Sequence, residues 1–293
     1  MISVVVCTRN RAESLRRTLH SLQAMTIPGS LRWEVVVVDN GSQDHTRDVV
    51  AEAARVTRVP VHALVETQPG LARARNAGVR AARGEVIAFT DDDCRVDAHW
   101  LARIEAEFGA DPSLAILGGR VELQDPGDRP IAIRPHRERV AVASLPAITT
   151  FMIGCNMACR RRLFDEIGAF DIRFGAGARI PSAEDWDFLH RSRRAGAKIV
   201  FAPDVLVFHD HGRRTDADVD SVNRGYAIGR WAFYAKHAAA FDVEVARLAA
   251  HDLRWLLDDL VRGRRPPRAL AAVALGLTYG IGAVVRGRRR LFA

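Results

Sequence analysis

Cysteine is scarce. Only Cys7, Cys94, Cys155 and Cys159 occur among 293 residues. Their spacing fits neither a zinc cluster nor a disulfide framework, and the one close pair, Cys155-x3-Cys159, is expected as reduced thiols. No Gly-x-Gly-x-x-Gly follows the first apolar run, so a dinucleotide site of that type is not indicated; a Gly-x4-Gly-Lys-[Ser/Thr] phosphate loop is missing as well. The N-terminus, Met1-Ile2-Ser3-Val4-Val5-Val6-Cys7, has a strand pattern and lacks the basic region and small-residue cleavage site of a secretory leader. A cytosolic location is expected. Nucleic acid is not an expected partner, because neither a basic helix nor an aromatic–basic strand face is present.

Apolar residues and arginine are plentiful. Hydrophobic residues make up 48% of the chain, which supports a full core. The length suits one large α/β domain, or one domain with an appendage. The net charge of +8, from 43 Lys+Arg against 35 Asp+Glu, favours an anionic partner such as a sugar phosphate or a membrane surface.

The first 120 residues alternate in type. Apolar runs at 2–6, 35–38, 61–65 and 86–89 are separated by helical patterns, one with Leu15, Leu19 and Leu22 on a single face, one near 44–56 and one at about 71–82. Buried strands separated by crossover helices imply a mostly parallel sheet with helices on both faces. Ligands then bind beyond the carboxyl ends of the strands. Those ends carry Cys7-Thr8-Arg9-Asn10, Asp39-Asn40-Gly41-Ser42, Glu66-Thr67-Gln68-Pro69-Gly70 and Asp91-Asp92-Asp93. Residues 124–146 are rich in Pro and Arg and read as a loop. From about Val222 the remainder reads as helices.

Three adjacent carboxylates at a strand end repel one another. Carboxylate oxygens are the ligands Mg²⁺ or Mn²⁺ prefer, and Asp91 and Asp93, being alternate, can share one cleft. The plainer reading has one Asp capping a helix at 98–108, but Asp97 already sits where that cap belongs. A second acidic group is Glu184-Asp185, with Asp187 beside it. Ser182-x-x-Asp185 matches a capping box; alternatively, a carboxylate facing the cleft serves as general base. His209 and His211 alternate at a strand end, either as ordinary turn residues or with one as a metal ligand. Arg73 and Arg75, near a helix start, suit a phosphate or lie exposed on the helix surface.

Taken together, Val4-Val5-Val6-Cys7-Thr8-Arg9-Asn10, Val37-Val38-Asp39-Asn40-Gly41-Ser42, residues 70–78, Asp91-Asp92-Asp93, Gly154-Cys155-Asn156-Met157 and Glu184-Asp185-Trp186 resemble the family 2 glycosyltransferases. The resemblance covers about residues 1–237. It implies the GT-A fold, a Rossmann-like α/β sheet flanked by helices. The catalytic domain would be 1–220, with a nucleotide-sugar half at about 1–120 and an acceptor half at about 121–220, and residues 221–293 would form a helical extension. The resemblance further implies that Thr8, Arg9 and Asp39 hold the base and ribose. Arg75 would lie near the base or diphosphate, with Asp91 and Asp92 on the nucleotide sugar. Asp93 would hold Mg²⁺ or Mn²⁺, and His209 completes the metal site in some relatives. Asp185 would be the general base, supported by Glu184, in an inverting transfer from a nucleoside-diphosphate sugar to a saccharide or lipid-linked acceptor of envelope biosynthesis. A nucleotidyltransferase of this fold would need a Gly-rich, Lys-containing loop at 7–13, which is missing. A non-catalytic scaffold is disfavoured by the intact Asp91, Asp93 and Asp185.

Residues 269–285 carry no charge and are flanked by Arg262, Arg264, Arg265 and Arg268 on one side and Arg286, Arg288, Arg289 and Arg290 on the other. Arginine on both flanks argues against a simple span. An interfacial helix on the inner face of the cell membrane is one expectation. A helix packed on the catalytic domain or on a dimer partner is the other, and Gly276-x3-Gly280 fits close helix packing.

Overall fold

The computed structural model describes residues 1–57, 59–263 and 269–291. Arg264, Arg265 and Arg268 of the charged tail lie outside them. The first elements are β1 (Ile2–Thr8), α1 (Ala12–Gln23), β2 (Trp33–Asp39), α2 (Thr46–Val56), β3 (Val61–Val65), α3 (Leu71–Ala81) and β4 (Val86–Asp91). Then come β5 (Cys94–Val96), α4 (Trp100–Ala110), β6 (Leu114–Leu123), β7 (Val140–Ala141), α5 (Leu145–Phe151), β8 (Asn156–Arg160) and α6 (Leu163–Ile167). The chain continues with α7 (Glu184–Arg194), β9 (Lys198–His209), α8 (Asp216–Ala238), α9 (Val243–Val261) and α10 (Ala269–Leu291).

The valine-rich runs of β1 and β2 become strands because β-branched side chains pack well on a pleated surface. Every residue of β1 is buried, as a strand covered on both faces requires. The sheet runs β3-β2-β1-β4-β8-β6-β9-β5, with β7 on β9. The first four strands are parallel, as the βα alternation implies. β8 is antiparallel to both neighbours, so the whole sheet is mixed. Strands β6 and β8 are hard to read in the sequence because Gly118-Gly119 interrupts one and the other is five residues long. The separate apolar runs at 199–201 and 205–208 are one strand, β9, with a register shift between them.

One apolar core fills each face of the sheet. A third joins α7 to α8, α9 and α10 through Trp231, Phe233 and Leu256. α10 lies along α8 so closely that a Cβ on Gly276 would come within 2.6 Å of the Trp231 Cβ, and one on Gly280 within 2.4 Å of the Ala232 carbonyl oxygen. The Gly-x3-Gly pair therefore packs helix on helix within the chain. No helix among the described residues is long and apolar enough to cross a membrane.

Two local expectations change. α4 begins at Trp100 behind His99, not behind Asp97. Asp97 instead accepts hydrogen bonds from the His99 N–H at 2.9 Å and from Arg103 at 2.7 Å. The capping box at α7 does not form. The residue before the helix is Ala183, at φ 73° with no side-chain cap, while Ser182 donates its hydroxyl to the Gly225 carbonyl at 3.0 Å. That leaves both oxygens of Asp185 for other partners.

Candidate active site

The carboxyl ends of β1, β2 and β4 lie side by side, with Thr8 opposite Asp39 and Cys7 opposite Asp91. Asp91 closes β4, and Asp92 and Asp93 turn the chain into β5. Asp92 and Asp93 are each 5% exposed, so their repulsion and desolvation must be offset by partners. Thr8 donates its hydroxyl to Asp92 at 2.7 Å. The Arg11 guanidinium donates to Asp92 at 3.2 Å and to Asp93 at 2.9 Å. His209 brings Nε2 to 3.3 Å from Asp93 Oδ1. The short strand β5 makes this last contact possible, because its antiparallel pairing sets Cys94 opposite His209.

Burial pushes the Asp92 carboxyl up to about 7, with Arg11 opposing and Asp93 reinforcing the shift. Burial acts the same way on Asp93, but His209 and Arg11 outweigh it and hold that carboxyl well below the usual carboxylate range. For His209, burial lowers the imidazole and the bond to Asp93 more than reverses this, raising it to about 9. Oxygen, nitrogen and sulfur atoms of Asp93, His209 and Cys94 lie within 4.8 Å of one another. A carboxylate with an imidazole is a donor set that divalent first-row cations accept, so these residues fit a metal.

The second acidic group faces the first across a buried arginine. Arg75, 2% exposed, donates Nη1 to Glu184 at 2.8 Å and Nη2 to Asp91 at 3.2 Å. Burial alone would lower its pKa; Asp91 and Glu184 more than offset that and raise it. Arg75 therefore braces the two carboxylates at the wall of the cleft. Gly154 is glycine for a steric reason, since a Cβ there would lie 2.8 Å from Arg75 Nη2. The Gly154 N–H donates to Asp185 Oδ2 at 2.9 Å, and the Trp186 N–H donates to Oδ1 at 2.8 Å. Asp185 is thus fixed at the start of α7 with its carboxylate in the cleft. Burial, reinforced by Asp185, pushes the Glu184 carboxyl up to about 7.

The cleft has a volume of about 920 Å³, and Thr8, Arg9, Arg75, Asp91, Asp92, Asp93, Glu184, Asp185 and His209 all line it. Asp39 does not, although its neighbour Asn40 does. Asp39 Oδ1 accepts from the Ser42 N–H at 2.7 Å, and its buried Oδ2 has Arg47 Nε at 3.5 Å. Asp187 and His211 point elsewhere. Asp187 is fully buried against Lys236, His237 and Arg191, and His211 faces Asp128 at 3.3 Å.

The opposite wall includes Arg134, Trp186, Arg213, Asn223, Tyr226 and Arg230. Of these only Trp186 carries a sequence signal, its place after Glu184-Asp185. Arg230 lies over the Trp186 ring at 5.5 Å. Arg134 donates to the carbonyls of Met152 and Ile133 at 3.2 and 2.7 Å. Tyr226 is 43% exposed at the mouth of the cleft.

Residues 3–168, more than half of the chain, match the family model described as "Glycosyl transferase family 2". The chain belongs to this family. It is 26% identical over 215 residues to the glycosyltransferase AglE of Haloferax volcanii, covering 71% of this chain and 66% of that protein. It is 31% identical over 209 residues to the succinoglycan biosynthesis protein ExoM of Rhizobium meliloti, covering 70% and 65%. The chain thus spans slightly under two thirds of the length of each relative. Among solved structures, the mannosyltransferase PcManGT of Pyrobaculum calidifontis, in complex with GDP-Man and Mn²⁺, superposes with a TM-score of 0.61 at 22% identity, covering 97% of this chain and 86% of that one. The fold is therefore GT-A, as the resemblance implied.

Proposed function

We propose that the protein transfers a sugar from a nucleoside-diphosphate sugar to an acceptor hydroxyl with inversion at the anomeric carbon. The observation that carries this reading is the meeting, in one cleft, of a metal-fitting pair, Asp93 and His209, with a separately anchored carboxylate, Asp185. Thr8, Arg9 and Asp39 would receive the base and ribose. Asp93 and His209 would hold Mn²⁺ or Mg²⁺; such an ion supplies positive charge against the diphosphate, which gains charge as it leaves. Their mixed oxygen–nitrogen donor set favours Mn²⁺, since Mg²⁺ prefers oxygen ligands.

Asp185 takes the proton from the acceptor hydroxyl. The new bond forms between the acceptor oxygen and the anomeric carbon, while the bond to the phosphate oxygen breaks and the nucleoside diphosphate leaves with its electron pair. Both oxygens of Asp185 are held by backbone N–H groups, which suits a stationary base. A single displacement inverts the centre. ExoM, by its name a succinoglycan biosynthesis protein, supports an acceptor in envelope polysaccharide or glycolipid synthesis.

The test is nucleoside diphosphate release from a panel of nucleotide sugars, with Mn²⁺, with Mg²⁺ and with neither. Cation-stimulated release from at least one donor is expected. No release from any donor, together with no thermal shift on adding any nucleoside diphosphate, would overturn the reading.

A further inference from the structure

The arginines of the cleft fall into two groups. Arg11, Arg75 and Arg230 each pair with a carboxylate: Asp93 at 2.9 Å, Glu184 at 2.8 Å and Asp252 at 3.3 Å. Arg9, Arg134 and Arg213 line the cleft too, yet among the described residues none of them has an ion-pair partner. Arg9 directly follows β1, beside Thr8. The other two stand on the far wall.

Arg134 is half-buried and is held by backbone alone. It donates Nε to the Met152 carbonyl, Nη1 to that of Ile133 and Nη2 to that of Thr149, at 3.2, 2.7 and 3.4 Å. A guanidinium carries five N–H donors, so one remains on each Nη atom. Carbonyls do not neutralise its charge. Burial pulls the guanidinium below its ordinary value, and the charge of Asp185 only partly opposes this. The segment that fixes Arg134 also fixes Asp185, because Met152 lies two residues before Gly154, whose N–H donates to Asp185 Oδ2. Arg213 arrives from the segment between β9 and α8. Its carbonyl accepts from the Arg129 N–H at 2.8 Å, on the loop that carries Arg134, and its own N–H donates to His211 Nδ1 at 3.0 Å. Its backbone is thus anchored, whereas its guanidinium has no partner among the described residues.

We propose that the acceptor is anionic, with a carboxylate or phosphate that Arg134 and Arg213 bind while its hydroxyl meets Asp185. The inference rests on the transferase reading, in which the donor's diphosphate is neutralised by the ion at Asp93 and His209. The two acid-free arginines then remain for the acceptor. A partly desolvated cation without a counter-charge costs free energy, and an anion that joins it recovers that cost. The arginine fork matches the geometry of carboxylate and phosphate alike. The arginines also answer an electrostatic problem, because an anionic acceptor approaching Asp185 and Glu184 is otherwise repelled.

The test uses matched acceptor pairs, with Mn²⁺ and the donor that the nucleotide-sugar panel selects. The pairs are glucose and glucuronic acid, galactose and galacturonic acid, and N-acetylglucosamine and its 1-phosphate. Nucleoside diphosphate released without any acceptor reports separately on the transferase reading. The anionic member of at least one pair is expected to show a KM at least about tenfold lower than its neutral partner. R134Q and R213Q should each remove most of that preference, while nucleoside diphosphate affinity stays within about threefold. Arg213 has no side-chain partner to lose, so R213Q carries the test if R134Q lowers the melting temperature. Three outcomes would overturn the proposal: no pair in which the anionic member is preferred, a preference that survives in R213Q, or variants that lose nucleoside diphosphate affinity instead. The last would assign the two arginines to the donor's diphosphate.

Discussion

At the scale of single residues, three cations make a five-carboxylate cleft tolerable. Arg11 and His209 neutralise the acidic turn, and Arg75 spans from Asp91 to Glu184. The carboxylates themselves were legible in the sequence, because acids at strand ends have few uses other than ligand binding. Arg11 was not: it lies 81 and 82 residues from its partners, and nothing local signals the contact. Removing one partner of a buried charge pair leaves the other charge unpaired and costs about 3–5 kcal/mol. Arg75→Ala should therefore lower unfolding free energy by about that much, read by urea denaturation. Arg75→Lys should lose one of the two contacts and fall between the variant and the parent. Equal stability of Arg75→Ala and the parent would show that the brace is not structural. Separately, Asp93→Asn and His209→Ala should each weaken Mn²⁺-dependent nucleoside diphosphate binding by about tenfold or more. Calorimetric titration with and without the ion checks this, and unchanged binding in both variants would remove them from the metal site.

At the scale of elements, α7 presents Asp185 to the cleft by burying the opposite side of its first turn. Asp187, two residues on, accepts from Lys236 and His237 on α8 and from Arg191 on its own helix. Burial would raise the Asp187 carboxyl, but these partners hold it far below the usual carboxylate range. A folded-state pKa below that of the unfolded chain contributes stability above the unfolded value, about 4. That stability is lost as pH falls below about 4. Asp187→Asn should therefore destabilise the protein at neutral pH and flatten the acid limb of its stability curve, measured by denaturant melts across pH. An unchanged acid limb would mean that the pair contributes nothing. The sequence suggested a capping box here. The helix instead starts without a side-chain cap, because Ala183 enters from the left-handed region and Asp185 is drawn to the Gly154 N–H. Gly154→Ala should displace Arg75, and with it Asp91 and Glu184, lowering turnover without removing any group that touches substrate. Parent-level turnover in that variant would contradict the steric account.

At the scale of the whole molecule, the site exists because distant segments converge on one edge of the sheet. The βα alternation of the first 120 residues fixes β1, β2 and β4 as parallel neighbours, and that half was readable from hydrophobic periodicity alone. The other half depends on the antiparallel strand β8 and on the pairing of β5 with β9. Those are long-range pairings of short strands, which local pattern does not specify. The same limit hid Arg134, Arg213, Tyr226 and Arg230, which reach the cleft from a loop and from α8. The central claim is that this convergence divides labour, with the strand-end acids holding the donor and Asp185 activating the acceptor. The most direct test compares Asp185→Asn with the parent for sugar transfer and for nucleoside diphosphate affinity in the presence of Mn²⁺. Transfer should fall by about 10²–10⁴-fold while affinity stays within about threefold. Transfer within about tenfold of the parent, or a matching loss of affinity, would contradict the account.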